Sequence, residues 1–143
     1  MNQENRSVRQ TAEEEIDKIA SQFFDLFTNT NNRKPNIRAI KEFFLPNGML
    51  INNTSGVPEV YDLEGFIRPR EDLLTNGTLT DFIEKESSYK TEIHENIAQR
   101  MSYYVKSGRL NNEPFTGEGK KLMQFVKVVD KWFLSSVIWT DKK

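Results

Sequence analysis

Apolar residues near the N-terminus recur at helical spacing. They form one wide stripe made of Ile16, Ile19, Ala20, Phe23, Phe24 and Phe27. Before the stripe, Thr11 and Glu14 have the spacing of a capping box, in which both side chains satisfy backbone N–H groups. The pattern predicts a helix that begins at Thr11 and ends at the polar run 29–32. Residues 1–10 are polar and aperiodic and predict a disordered tail.

Two shorter helices are predicted next. The first begins at Asn36 and stops before the turn sequence 46–48, and residues 49–51 then form a short strand. The second is capped by Asp62 and contains Pro69. Proline removes a helix hydrogen bond and clashes with the preceding turn, so this helix is expected either to kink at Pro69 or to divide there.

The pattern changes to β structure after Leu79. Residues 82–93 and 97–105 form one predicted strand pair, and residues 122–129 and 132–139 form another. The two-residue break at 130–131 is a strong hairpin signal. Helices followed by a meander predict an α+β fold, in which a curved antiparallel sheet wraps around about three N-terminal helices.

Both faces of the last predicted hairpin are apolar. If Val129 pairs with Trp132, one face carries Met123, Phe125, Val129, Trp132, Leu134 and Ile138, and the other carries Leu122, Val126, Val128, Phe133, Val137 and Trp139. A solvated sheet face would instead alternate apolar and polar residues. The helices can cover one face only, so we expect a homodimer through the open sheet face. The alternative is a monomer whose polar residues Gln124, Lys127 and Ser135 suffice at that face.

The earlier hairpin has two unlike faces. One offers Ile83, Tyr89, Ile93, Ile97, Met101, Tyr103 and Val105, and it is the expected core face. The other offers Phe82, Glu84, Glu86, Lys90, Glu92, Arg100, Ser102 and Tyr104. A tight turn near Glu95 would place Glu86 opposite Tyr104 and Lys90 opposite Arg100.

Composition narrows the class of protein. The 143 residues suit one domain, predicted over 11–143, and the absence of cysteine excludes disulfides, thiolate zinc sites and thiol nucleophiles. Charges of both signs are interspersed to a net −1, without the basic stripe of a nucleic-acid binder. One histidine excludes a multi-histidine metal site, and no cofactor or metal is expected.

No stretch is apolar enough to span or anchor in a membrane and no secretory signal is present, so we expect a cytoplasmic protein.

Several stretches carry a family resemblance. They are 64–70 (EGFIRPR), 73–82 (LLTNGTLTDF), 96–100 (NIAQR), 108–117 (GRLNNEPFTG) and the closing segment 124–139. They resemble bacterial nuclear-transport-factor-2-like and ketosteroid-isomerase-like domains (SnoaL-like, cystatin-like) of unassigned function, over about residues 12–141. The resemblance implies a cone with a cavity between sheet and helices, and frequent dimers. Many such domains are known only as scaffolds, and a fold does not transmit an activity.

Enzymes of this family place an aspartate base with acidic hydrogen-bond donors, or a histidine–aspartate pair, inside the cone. No aspartate of this chain falls in the middle of a predicted strand. The departure disfavours a steroid-isomerase or dehydratase mechanism.

Paired carboxylates are the first candidate site. Glu84 and Glu86 project from one strand face about 7 Å apart, a distance at which two carboxyl groups can divide acid and base work. They can equally form cross-strand ion pairs with Lys90, Arg100 or Lys106.

Other ligand-binding candidates are basic or aromatic. Arg68 and Arg70 flank Pro69, where their guanidinium groups suit a carboxylate or phosphate, or simply cover a helix surface. Tyr61, Tyr104 and Trp139 are predicted as aromatic walls or as core. His94 lies in a predicted turn, facing either solvent or a ligand at the sheet edge.

Three functions are consistent with these residues. The first is a dimeric module that holds a small organic molecule in an apolar cavity. The second is an isomerase, dehydratase or cyclase that uses Glu84 or Glu86 as base, with Tyr104 or Arg100 stabilising the developing charge. The third is an interaction scaffold whose cavity is filled by its own side chains.

Overall fold

A computed structural model describes residues 2–143, with side chains for residue 8 and residues 10–143. Along the chain come helix α1 (Asn2–Asp25), the 3-10 helices Thr30–Asn32 and Ile37–Glu42, strands β1 (Phe44–Asn52) and β2 (Glu59–Tyr61), helix α2 (Leu63–Thr75), and strands β3 (Leu79–His94), β4 (Ile97–Leu110), β5 (Glu113–Val128) and β6 (Lys131–Asp141). The helices pack on one face of a curved six-stranded sheet, which confirms the α+β prediction.

Helix α1 begins at Asn2, so the start predicted at Thr11 is wrong. The preceding residues are largely good helix formers, so the helix extends further toward the N-terminus than predicted. Among the side chains that the structure describes, Ala12 is the first that is buried, and Val8 is exposed. The disordered tail over residues 1–10 stays a prediction. The predicted apolar stripe is buried along its whole length.

The later helices differ from prediction in type and continuity. Residues Ile37–Glu42 form a 3-10 helix, and α2 runs unbroken through Pro69. Division into two helices is therefore wrong, because Pro69 lies on an exposed part of α2 where water can hydrate the carbonyl that it leaves free. Asp62 caps α2 as predicted, accepting the Gly65 N–H at 2.7 Å. No helix within residues 2–143 is long and apolar enough to cross a membrane.

The sheet has the strand order β2-β1-β6-β5-β4-β3. All neighbours are antiparallel except β1 and β6, which run parallel, so the purely antiparallel sheet expected from the meander is corrected to a mixed one. Strands β4 and β5 are longer than predicted and form a hairpin at Asn111 and Asn112. Both residues have positive φ, of 51° and 68°, as a type I′ turn requires.

The sheet has an inner face toward α1 and α2 and an outer face away from them. On β4 the inner face carries the buried Ala98, Arg100, Ser102 and Tyr104, whereas Ile97, Met101, Tyr103 and Val105 are exposed on the outer face. The core face predicted for β4 is therefore wrong, whereas Tyr89 and Ile93 of β3 lie on the inner face as predicted. The polar face can be buried because its charged groups pair with one another.

Irregularities in the strands explain why some of the predicted cross-strand partners are wrong. Glu86 lies opposite Tyr104 as predicted, but a shift between Glu86 and Ser88 places Thr91, not Lys90, opposite Arg100. In the last hairpin Val128 pairs with Lys131, and Val129 is 94% exposed in the turn. A bulge next to Phe125 then brings Val137 and Trp139 to the inner face. A one-residue shift moves every later side chain to the opposite face.

Candidate functional site

A cavity of about 140 Å³ lies between α1, α2 and the inner sheet face. Its walls are mainly apolar, formed by Phe23, Phe27, Phe66, Leu73, Leu74, Leu79, Phe82 and Trp139. Four charged residues complete the lining: Arg70, Glu84, Lys106 and Lys121. Convergent charged groups in an apolar recess are typical of a ligand site.

Edge-to-face contacts between aromatic rings connect α1, α2 and β6 around the cavity. Ring centres are 5.5 Å apart for Phe23 and Phe27, and 5.8 Å apart for Phe27 and Phe66. Phe66 then meets Trp139 at 6.0 Å. The chain of rings runs from α1 through α2 to β6, in the arrangement that the aromatic quadrupole favours. It gives the cavity a rigid apolar wall.

Glu84 and Lys121 form an ion pair at the cavity wall. Their side chains are 8% and 6% exposed, and Lys121 Nζ lies 3.5 Å from Glu84 Oε2. Burial lowers the pKa of Lys121, because the charged ammonium loses its hydration, while Glu84 partly offsets the effect. Lys121 Nζ also lies 4.1 Å from the centre of the Tyr104 ring and 5.2 Å from that of Trp139. The amine is thus surrounded by aromatic faces and one carboxylate.

Tyr104 and Asp141 are joined by a hydrogen bond beside this pair. The Tyr104 hydroxyl donates to Asp141, which also forms an ion pair with Lys106 at 3.0 Å. Burial opposes ionisation of Asp141, but the bonds from Tyr104 and Lys106 prevail and lower its pKa. Burial and the neighbouring carboxylate raise the pKa of Tyr104, so this phenol is a hydrogen-bond donor and not a base at neutral pH.

Gly119 makes room for the Tyr104 hydroxyl. A Cβ atom at this position would collide with that hydroxyl and with the Thr140 carbonyl. Gly117-Glu118-Gly119-Lys120 lies within β5, so its glycines serve close packing on the inner face.

Arg70 lies against aromatic rings at another side of the cavity. Its guanidinium carbon is 3.8 Å from the centre of the Phe66 ring and 5.3 Å from that of Tyr61. The group also donates to the Phe66 carbonyl at 3.2 Å. Burial lowers the pKa of Arg70, yet a guanidinium stays charged at neutral pH.

A second polar cluster is centred on Arg100, which is 3% exposed. Arg100 donates to both carboxylate oxygens of Glu86, at 3.0 and 2.5 Å, and to Asp17 of α1 at 2.6 Å. It also bonds Thr91 at 3.2 Å and stacks over the Tyr89 ring at 3.6 Å. These contacts bind α1 to the sheet. They engage the carboxylate of Glu86, so Glu84 is the carboxylate that faces the cavity.

The structure divides the sequence-predicted site residues into three groups. Arg70, Glu84 and Trp139 line the cavity, and Tyr104 contacts the cavity lysine. Tyr61 packs on Arg70 while its hydroxyl donates to Glu59 at 2.6 Å, and Glu86 and Arg100 pair with each other. The side chains of Arg68 and His94 are 78% and 68% exposed, each beside a surface glutamate.

Lys121 and Lys106 line the cavity but were not predicted as site residues. The strand was predicted to begin at Leu122, so Lys121 was left outside it. Extending the strand period backward from Met123 and Phe125 places Lys121 on their face. That periodicity was the available signal.

Asn29 was predicted only as part of the polar run that ends α1. Its side-chain amide donates to the carbonyls of Leu74 and Leu79, at 2.9 and 2.7 Å, and its side-chain oxygen accepts the Phe82 N–H at 2.7 Å. Asn29 is 6% exposed. It therefore joins the end of α1 to the end of α2 and the start of β3, where three cavity-lining residues lie.

The geometry defines a class of protein: an α+β cone with a cavity between its helices and its sheet. No protein-family model and no curated protein matches the chain. Solved structures do match it. A nuclear transport factor 2 superfamily protein from Salmonella enterica serovar Typhimurium superposes with a TM-score of 0.76 at 12% identity, over 94% of each chain.

Two further structures illustrate the range of similar proteins. The hexachlorocyclohexane dehydrochlorinase LinA-type3 from Novosphingobium barchaimii has a TM-score of 0.76 at 12% identity, over 96% of this chain and 91% of that chain. An uncharacterized protein with a cystatin-like fold from Caulobacter vibrioides has a TM-score of 0.69 at 12% identity, over 91% and 89%. The chain is a domain of the nuclear-transport-factor-2-like fold, as its resemblance predicts. Identities this low show the fold alone.

Proposed function

We propose that this domain binds a small organic molecule in the cavity between α1, α2 and the sheet. The observation that carries the proposal is the buried Glu84–Lys121 pair at the wall of an otherwise apolar cavity. Small-molecule sites combine apolar walls with a few polar groups that fix orientation. A carboxylate and an amine side by side offer a ligand both an acceptor and a donor.

Cavity size and charge indicate the kind of ligand. A volume of about 140 Å³ is close to the roughly 150 Å³ of an apolar cavity that holds benzene. The charged lining consists of three basic side chains and one acidic one. The preferred ligand therefore has an apolar body about the size of a benzene ring and an anionic group.

We expect titration calorimetry with three ligands of one ring size to rank them by charge. Benzoate should bind more tightly than benzyl alcohol, and benzylamine most weakly, because Arg70, Lys106 and Lys121 outnumber Glu84. For ligands this small, dissociation constants of roughly 10 μM to 1 mM are expected.

A cavity-filling variant provides the control for this ranking. Leu73→Trp should abolish binding of all three ligands, because the indole occupies the cavity that Leu73 lines. Val57→Trp adds the same ring at a position that is 71% exposed, and it should leave binding unchanged. Equal binding by the Leu73 variant and the native protein would place the ligands elsewhere and contradict the proposal.

The proposed functional unit is a homodimer formed through the outer sheet face. Met101, Leu122, Ile138 and Ile51 are successive neighbours across β4, β5, β6 and β1 and form one continuous apolar row. Leu122 is 52% exposed in the single chain. An exposed apolar row of this kind favours a partner surface, and a two-fold contact of the row with itself is the simplest cover.

Sedimentation equilibrium is expected to give twice the mass of one chain for the native protein. Leu122→Glu should give the monomer mass, because pairing across a two-fold axis would bury two carboxylates in an apolar contact. Val57→Glu makes the same kind of change in the exposed turn before β2 and should leave the dimer intact. A native protein that sediments as a monomer at every concentration would exclude the dimer.

A further inference from the structure

Lys121 is a buried amine with an apolar environment and access to the cavity. Its side chain is 6% exposed, and its Nζ is flanked by the rings of Tyr104, Trp139 and Phe24 at 4.1, 5.2 and 5.7 Å. Lysine is rarely buried, because its ammonium group loses hydration that few protein sites replace. Burial lowers the pKa of this lysine, so more of it is the neutral, nucleophilic amine than at a surface position.

The ion pair of Lys121 is looser than a structural pair in the same fold. Lys121 Nζ lies 3.5 Å from Glu84, whereas Arg100 lies 2.5 Å from Glu86 and also bonds Asp17 and Thr91. Charge-assisted hydrogen bonds have lengths of about 2.7–2.9 Å. Glu84 is thus near enough to exchange a proton with the amine without enclosing it, and both residues line the same cavity.

We propose that Lys121 is a nucleophile that forms an imine with a small aldehyde or ketone bound in the cavity. The lone pair of the neutral Nζ attacks the carbonyl carbon and a C–N bond forms as the C=O π bond breaks. Glu84 accepts one proton from the nitrogen and passes it to the carbonyl oxygen, which gives a carbinolamine. Glu84 then accepts the second N–H proton and passes it to the hydroxyl, which leaves as water as the C=N bond forms. No oxidant or reductant is needed. This inference rests on the proposed ligand cavity and adds a reactive class of ligand to it.

The apolar walls favour the dehydration step. Water expelled from the cavity by the ligand is not available to hydrolyse the imine. The Tyr104 hydroxyl already donates to Asp141, which leaves Glu84 as the proton carrier nearest to the amine.

The test is reductive trapping with benzaldehyde and cyanoborohydride, followed by peptide mapping of the native protein. The trapped imine is a secondary amine that carries one benzyl group. We expect on the order of tenfold more adduct at Lys121 than at Lys120, a small part of what positioning in a bound complex can supply. Lys120 is the matched control, since it directly precedes Lys121 in β5 and lies on the outer face. Benzyl alcohol has the same ring but no carbonyl group, and by competing for the proposed cavity it should suppress the adduct at Lys121 alone.

Two variants check the assignment. Lys121→Met with Glu84→Gln removes the amine without leaving an unpaired carboxylate, and it should lose the dominant adduct while its thermal unfolding shows a folded protein. Lys120→Met should retain that adduct. The trapping rate should rise with pH below the range in which surface lysines become reactive, a dependence that a purely structural lysine would not show.

The outcomes separate this inference from the ligand proposal. Adduct concentrated at Lys121 and suppressed by benzyl alcohol supports both. The adduct could instead be spread over the lysines according to their exposure while benzoate and benzyl alcohol still bind in calorimetry. That result overturns the imine inference and leaves the proposed binding function intact. If neither adduct at Lys121 nor binding is found, both are overturned.

Discussion

Replacing Arg100 with methionine is expected to lower the free energy of unfolding by about 3–5 kcal/mol, the usual cost of removing one partner of a buried ion pair. The variant leaves the carboxylate of Glu86, whose side chain is 15% exposed, without its cation. The Asp17 bond contributes little to this figure, because the Asp17 side chain is 51% exposed and solvent screens the pair. Urea unfolding of both proteins measures the difference.

Two comparisons test whether the unpaired carboxylate of Glu86 causes the loss of stability in Arg100→Met. In a double variant, Glu86→Leu removes the carboxylate as well, so the loss should be smaller than the sum of the two single losses. Arg68→Met removes an arginine whose side chain is 78% exposed and should change stability by less than about 0.5 kcal/mol. Equal losses for Arg100→Met and Arg68→Met would contradict the structural role of the Arg100 cluster.

Replacing Asn29 with leucine is expected to cost at least about 3 kcal/mol, since each unsatisfied buried polar group costs roughly 1–3 kcal/mol. Leucine has a similar size but cannot bond the carbonyls of Leu74 and Leu79 or the N–H of Phe82. Because these groups lie where α2 ends and β3 begins, the variant should also weaken benzoate binding. Thermal unfolding and calorimetry measure the two effects.

Asn36 provides the control for Asn29. It is exposed, and its side chain makes no capping hydrogen bond to the helix that follows it. Asn36→Leu should therefore change neither stability nor ligand binding appreciably. An Asn29→Leu protein as stable as Asn36→Leu would show that the three buried hydrogen bonds do not hold the cavity together.

Local patterns in the sequence predicted much of the fold. The apolar stripe of α1, the Asp62 cap of α2 and the final hairpin each depend on neighbouring residues, and the structure contains all three. The parallel contact of β1 with β6 was not predictable in this way, because it joins Leu50 to Val137 across most of the chain. Such a pairing leaves no local pattern.

The candidate site was harder to predict than the fold. One irregularity near Glu86 and one near Phe125 reassign the faces of two hairpins, and single-sequence patterns do not reveal where a bulge falls. The inner face was also difficult to predict because charged residues are usually exposed, whereas Arg100 and Lys121 are buried. Their burial depends on partners such as Asp17 and Glu84 that are distant in sequence. Glu84, Arg70 and Trp139 were nevertheless predicted and line the cavity.

The most direct test of ligand binding is a two-dimensional ¹⁵N–¹H NMR titration of the native protein with benzoate. Binding in the cavity predicts saturable shifts at the amides of cavity-lining residues such as Phe82, Glu84 and Lys121, with little change at Ile97 or Val105 on the outer face. Shifts that fail to saturate, or that are confined to the outer face, would contradict a ligand site between the helices and the sheet.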